Sequence, residues 1–106
     1  MNAPSTDLVF GALADPNRRA IVEMIASGGP ATPTELSAGL SITRQGASKH
    51  LTSLVEAGIL GAARSGREVR YALVKGGLEP GSAWLTRVGD QWDGRLGALK
   101  RHVDRP

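Results

Sequence analysis

The chain has 106 residues, of which 41% are hydrophobic and 22% charged, so we expect a single domain over residues 1–106 with one compact core. Cysteine is absent, which excludes disulfides and thiolate metal sites, and without a long apolar run or a signal-like start we expect a cytoplasmic protein with no membrane partner. Residues 41–75 carry six basic and two acidic side chains, whereas residues 1–40 carry two basic and four acidic ones. The basic middle of the chain suits a polyanionic partner, and a solvated charged surface explains it equally well.

Two helices are predicted in the first thirty residues. Asp15 followed by proline is a helix-start signal, because the Asp oxygen accepts from free backbone amides and proline at the first helical position loses no hydrogen bond. From Ile21 onward apolar residues recur at helical spacing, and apolar residues within 8–13 predict a shorter helix upstream. Arg18 and Arg19 follow the cap, and we expect at least one of them to pair locally with a carboxylate.

A pair of helices joined by a tight turn comes next. Thr32 and Glu35 form a capping-box pattern, in which each side chain satisfies a backbone amide at the start of a short helix that ends near Gly39. Thr43 is the next plausible N-cap, and residues 44–57 carry apolar side chains at helical spacing until a glycine ends the pattern. The sequence therefore predicts a helix-turn-helix.

A basic hairpin is predicted after the second helix of this pair. Val69, Tyr71 and Leu73 alternate with polar or small residues, and a period of two is typical of a strand. The preceding segment 64–67 is basic, and we place the hairpin tip at Ser65-Gly66, flanked by two arginines. A helix pair followed by such a wing predicts a mainly α fold, a winged helix-turn-helix with about five helices and a two-stranded antiparallel wing.

The last third predicts one long amphipathic helix. Its apolar residues recur at steps of three and four, and its interior glycines weaken it, so it needs a partner surface. We expect this face to form a homodimer interface, with Trp92 at the interface rather than in a ligand pocket. The predicted interface residues are Leu85, Val88, Trp92, Leu96 and Leu99.

The winged helix-turn-helix arrangement predicts double-stranded DNA as the partner. In such folds the second helix of the pair enters the major groove and the hairpin lies along the phosphates. From the helix we predict contacts by Thr43, Arg44, Gln45, Ser48, Lys49 and His50. From the wing we predict contacts by Arg64, Ser65, Gly66 and Arg67. For His50, burial with donation to a backbone carbonyl explains the residue as well as phosphate contact does.

Three stretches in order resemble the ArsR family of bacterial winged-helix regulators. They are LADPNRRAIVEMI, LSITRQGASKHLTSLVEAGIL and REVRYAL. The resemblance implies homodimerisation through the first and last helices and repression that is relieved by a signal. It therefore implies a sequence-specific transcriptional regulator, a homodimeric repressor of a palindromic operator.

The metal-binding residues of the founding members are incomplete here. Those members use cysteine pairs in the third helix, or histidine and carboxylate ligands in the last helix. This chain offers Asp90, Asp93, His102 and Asp104 with no second histidine nearby. Because zinc sites favour several His or Cys ligands, we expect no metal site and no cofactor. A small-molecule effector of unknown identity, or none, is expected instead.

Other function classes fit the sequence less well. An enzyme is not expected, because the two histidines lie in different regions without a nucleophile, a carboxylate pair or a phosphate-binding glycine loop. A winged-helix protein-interaction or RNA-binding module is the main alternative, since fold does not fix function. A metal-sensing repressor with an atypical site is a further alternative.

Overall fold

The structure, a computed structural model, describes residues 5–103. In chain order its elements are α1 (Ser5–Leu13), α2 (Pro16–Gly28), α3 (Pro33–Leu40), α4 (Arg44–Glu56), β1 (Leu60–Ser65), β2 (Glu68–Leu73) and α5 (Glu79–Val103). The strands form one antiparallel hairpin. The predicted mainly α winged helix-turn-helix, with five helices and a two-stranded wing, is confirmed.

The helix starts are capped by the residues that the sequence predicts. The Asp15 carboxylate accepts from the amides two and three residues later, at 2.7 and 3.1 Å. Thr32 and Glu35 form the complete capping box: Glu35 N donates to Thr32 Oγ1 at 3.2 Å and Thr32 N donates to Glu35 Oε1 at 3.0 Å. Thr43 Oγ1 accepts from Gly46 N at 2.9 Å. These local bonds set where α2, α3 and α4 begin.

The core lies where α1 to α4 meet the base of the hairpin. The turn between α3 and α4 places Ser41 in the left-handed region, with φ 56°. This turn brings the inner faces of both helices onto one cluster. The largest fully buried side chains are Ile21, Leu36, Leu51, Leu54, Ile59, Leu60 and Val9. Tyr71 and Leu73 of β2 pack against this cluster, so the base of the wing belongs to the core.

The wing tip differs from the prediction by one residue. Ser65 is the last residue of β1 and pairs with Glu68, so the two-residue loop is Gly66-Arg67 rather than Ser65-Gly66. Gly66 has φ 63°, and the first loop position of a type II′ hairpin turn is one where a positive φ favours glycine. The ladder therefore extends one residue further, and Arg67 stands at the tip itself.

Within residues 5–103, the buried contact of helix α5 with the rest of the domain lies at its start. Gly81 is its one buried residue within the described part of the chain, and a Cβ there would lie 2.9 Å from Val9 Cγ1 of α1. Nearby, the rings of Phe10 and Trp84 pack edge to face with centroids 5.5 Å apart. Beyond this contact the apolar face of α5 is uncovered, and Trp92 is 58% exposed.

Candidate nucleic-acid interface

Helix α4 has one buried face and one exposed polar face. Ala47 and Leu51 point into the core, whereas Arg44, Gln45 and Lys49 are exposed in the first two turns. Within residues 5–103 these three exposed side chains donate no hydrogen bond to protein groups. Their donors are therefore available to an external partner, as base-edge and phosphate recognition requires.

The remaining predicted contacts on this helix lie at or beside the exposed face. Ser48 is exposed, and the hydroxyl of Thr43 is occupied by the cap of α4. His50 is partly buried and donates to no backbone carbonyl among residues 5–103. Its neighbour is Asp15, whose pKa is held below its ordinary value mainly by the Arg18 amide and to a smaller extent by His50. His50 as a DNA contact stays a prediction.

The wing presents a second cationic surface. Arg64, Ser65, Gly66 and Arg67 are all exposed. Arg64 lies directly opposite Val69 in the ladder, so their side chains share one face of the hairpin. The hairpin thus carries one guanidinium at its tip and another on a face of the strand.

The start of α4 and the wing border a common groove. This groove has a volume of about 540 Å³ and is lined by the start of α3, by Arg44 and by residues 67–71 of the wing. Arg44 and Arg67, predicted separately from the helix and from the hairpin, stand on its walls. The structure brings these two cations to one concave surface, which Gln45 and Lys49 do not line.

Arg70 is a residue of this groove that the sequence did not single out. Its guanidinium forms ion pairs with Glu35 of α3 at 3.2 Å and with Glu68 of β2 at 3.1 Å. Hydrogen bonds from Thr32, and the Arg70 charge to a smaller extent, hold the pKa of Glu35 below its ordinary value. The two ion pairs found within residues 5–103 are both formed by Arg70. No sequence spacing signals a contact between residues 35 positions apart.

Among residues 5–103, neither Arg18 nor Arg19 forms an ion pair with a carboxylate, which corrects the expectation that at least one of them does. Arg18 Nε donates to Ala12 O at 2.7 Å and Arg19 Nη1 donates to Leu13 O at 2.7 Å. These carbonyls lie at the end of α1, where the last backbone acceptors of a helix lack intrahelical partners. Both arginines therefore join α2 to α1.

The described residues offer no metal centre. No group of three or more His, Asp or Glu side chains lies close enough to hold an ion within residues 5–103. Asp90, Asp93 and His102 lie in α5, and Asp104 falls outside the described residues. Likewise, no helix in this part of the chain combines the length and apolarity needed to cross a membrane.

Comparison with known proteins identifies relatives of this chain. Residues 13–60 match the family described as a helix-turn-helix domain. The chain is 39% identical over 77 residues to the HTH-type transcriptional regulator CmtR of Mycobacterium tuberculosis, covering 73% of this chain and 64% of CmtR. It is 33% identical over 90 residues to the arsenic resistance transcriptional regulator ArsR1 of Pseudomonas putida, covering 74% of this chain and 70% of ArsR1.

A solved structure agrees over nearly the full length. An ArsR-like transcriptional regulator from Rhodococcus sp. RHA1 superposes with a TM-score of 0.77 at 30% identity, covering 96% of this chain and 95% of that chain. The chain spans 64% of the length of CmtR. The fold and these identities together show that the chain belongs to the ArsR family of winged helix-turn-helix transcriptional regulators.

Proposed function

We propose that the chain is a homodimeric repressor that binds a palindromic DNA operator. The observation that carries this proposal is the exposed polar face of α4, whose first-turn side chains donate no hydrogen bond within residues 5–103, beside a wing with two exposed arginines. Membership of a family of transcriptional regulators supports it. The role is one of binding in the cytoplasm, and it requires no catalytic group.

The two surfaces have different tasks in this proposal. Gln45 and Lys49 lie one helical turn apart on the exposed face of α4, so they contact base edges in the major groove. Arg64 and Arg67 of the wing contact phosphates, which hold the protein on any duplex. The other predicted DNA contacts position the protein on the backbone; they are Thr43, Arg44, Ser48, His50, Ser65 and Gly66.

The homodimer is proposed from the uncovered part of α5. The radius of gyration is 18.3 Å, whereas a compact domain of this length has about 13 Å. Helix α5 extends away from the core with its apolar face exposed, including Leu85 at 56% and Leu99 at 58%. Val88, Trp92 and Leu96 lie on the same face. A second copy that packs α1 and α5 against it removes this apolar surface from water.

A twofold dimer also explains how the protein reads an operator. Symmetry places two copies of α4 on one side of the duplex, about one helical turn or roughly 34 Å apart. Each copy contacts one half-site, so the operator is a palindrome. Repression follows when this site overlaps a promoter.

The release signal is not a thiophilic metal in this proposal. The name of ArsR1 refers to arsenic resistance, but this chain has no cysteine, and soft metal and metalloid ions are held by thiolates. The carboxylates and single histidine of α5 form no ligand cluster within the described residues. We therefore propose a small-molecule effector or none.

Selection of bound fragments from genomic DNA tests the proposed function. We expect enrichment of a palindromic sequence upstream of a gene, and protection of two half-sites about one turn apart. In a parallel competition measurement, preference for RNA or single strands over the selected duplex would favour the RNA-binding alternative. Recovery of random duplex fragments with no shared sequence would contradict sequence-specific repression.

A further inference from the structure

The wing is joined to the helix-turn-helix by the side chain of Arg70. Its Nη1 lies 3.2 Å from Glu35 Oε1 on α3 and 3.4 Å from Pro30 O in the segment before α3. Its Nη2 lies 3.1 Å from Glu68 Oε2 in the same strand. Two of these three contacts therefore cross from the hairpin to the start of α3, and the third stays within the wing.

The other partners of Glu35 make this a defined junction. The same oxygen, Oε1, accepts from Thr32 N at 3.0 Å, so the carboxylate that caps α3 also holds Arg70. Beside it, Ala31 and Tyr71 exchange two backbone hydrogen bonds, of 2.9 and 3.1 Å. The segment before α3 thus extends the sheet by one bridge at the edge of β2.

In the part of the chain that the structure describes, no core side chain covers the hairpin beyond this junction. Residues 62–68 are all exposed, and the pairing between β1 and β2 is their only regular structure. An isolated two-stranded hairpin is marginally stable in water. The direction of the tip relative to α4 therefore depends on how the base of β2 is fixed.

We propose that Arg70 is a positioning residue: its ion pair with Glu35, added to the backbone pairing of Tyr71, fixes the orientation of the wing against the start of α3. In this position Arg67 at the tip and Arg44 at the start of α4 face the same stretch of DNA backbone across the groove. The expected effect on DNA binding rests on the proposed function. The fixed orientation of the wing rests on the structure of the free protein alone.

The chain supplies a matched pair of variants. Glu35→Gln removes the charge that pairs with Arg70 across the junction, and glutamine still serves in a capping box, so α3 keeps its cap. Glu68→Gln removes the same charge from the other partner of Arg70, which lies within the wing. Glu35 and Glu68 are similarly exposed, at 56% and 58%. Any difference between the variants thus reports the link to α3.

The first measurement is made on the free protein. Backbone residual dipolar couplings give the orientation of the wing amides relative to α4. We expect couplings in residues 62–68 to decrease in Glu35→Gln and to stay at their wild-type values in Glu68→Gln. Wild-type couplings in Glu35→Gln would overturn the proposal, whatever the chain binds.

The second measurement is affinity for a selected operator duplex across a salt series. An exposed ion pair shifts an equilibrium by about two- to fivefold, so we expect Glu35→Gln to bind about two- to fivefold more weakly, with a shallower salt dependence. We expect Glu68→Gln to bind at least as tightly as the wild type. If only the loss of negative charge mattered, both variants would bind more tightly, which would contradict the proposal.

A double-mutant cycle separates positioning from direct contact by Arg70. If Arg70 positions Arg67, then Arg67→Ala weakens binding less in an Arg70→Met background than in the wild type. Equal effects in both backgrounds would instead make Arg70 an independent phosphate contact and overturn the proposal. If the wild type bound no duplex, the proposed DNA-binding function and the proposed phosphate contact of Arg67 would both be refuted. The residual dipolar couplings of the free protein would still decide whether the ion pair fixes the wing.

Discussion

Replacement of Trp92 by alanine tests the dimer interface on α5. A tryptophan side chain buries up to about 250 Å², and Trp92 is 58% exposed, which leaves about 145 Å² for a partner to cover. If the partner covers half of that area in each protomer, Trp92→Ala removes about 145 Å² of buried area from the dimer. At about 25 cal/mol/Å², this loss weakens association by about 3.6 kcal/mol. The dimer dissociation constant should then rise about 400-fold.

Sedimentation across a range of protein concentrations measures this change. The control is Asp90→Ala, because Asp90 precedes Trp92 by two residues and lies about 200° around the helix. We expect this control to dimerise like the wild type. A dissociation constant for Trp92→Ala within about threefold of the wild-type value, far below the calculated effect, would refute the assignment of the interface to this face.

Three further predictions concern stability and the release signal. The pKa values of Asp15 and Glu35 lie below the ordinary values of 3.8 and 4.5. Such carboxylates stabilise the fold at pH above their ordinary pKa, and this stabilisation is lost as the pH falls through the lower pKa of the folded state. Urea unfolding should therefore show stability falling with acidification below these values, and less steeply in Asp15→Asn. Leu51 is fully buried, so Leu51→Ala should lower the free energy of unfolding by about 2–5 kcal/mol, and a loss below about 1 kcal/mol would contradict the described core. Zinc, cadmium and arsenite should leave operator anisotropy unchanged, and release of DNA by one of them at near-stoichiometric concentration would overturn the proposed absence of a metal signal.

Local signals in the sequence predicted most of the fold. A capping residue and a helical repeat act over a few neighbouring positions, so Asp15, Thr32 and Thr43 indicated the starts of three helices. The period-two pattern in β2 indicated the wing, and the repeat around Trp92 indicated one long helix. Family resemblance then predicted how these elements pack.

Contacts between distant elements were not predictable in the same way. The Arg70–Glu35 ion pair joins β2 to α3, and no local sequence pattern around either residue predicts this contact. At least one of Arg18 and Arg19 was expected to pair with a carboxylate, but both donate to backbone carbonyls at the end of α1, which lack intrahelical partners. The wing tip was misplaced because composition marks a turn, whereas the strand register decides which residues occupy it.

In the proposed function, α4 contacts the base edges and the wing contacts the DNA backbone. One salt-series measurement tests it, with affinity for operator and for scrambled duplex determined in parallel for four alanine variants. The variants are Gln45→Ala, Lys49→Ala, Arg64→Ala and Arg67→Ala.

We predict that Gln45→Ala or Lys49→Ala reduces discrimination between the two duplexes by about 1–3 kcal/mol, the range of a good bidentate base contact. Arg64→Ala and Arg67→Ala should weaken both duplexes alike and reduce the salt slope by about one unit for each phosphate contact, twice in a dimer. If the wing variants lost discrimination while both helix variants kept it, the assignment of reading to α4 and holding to the wing would be contradicted.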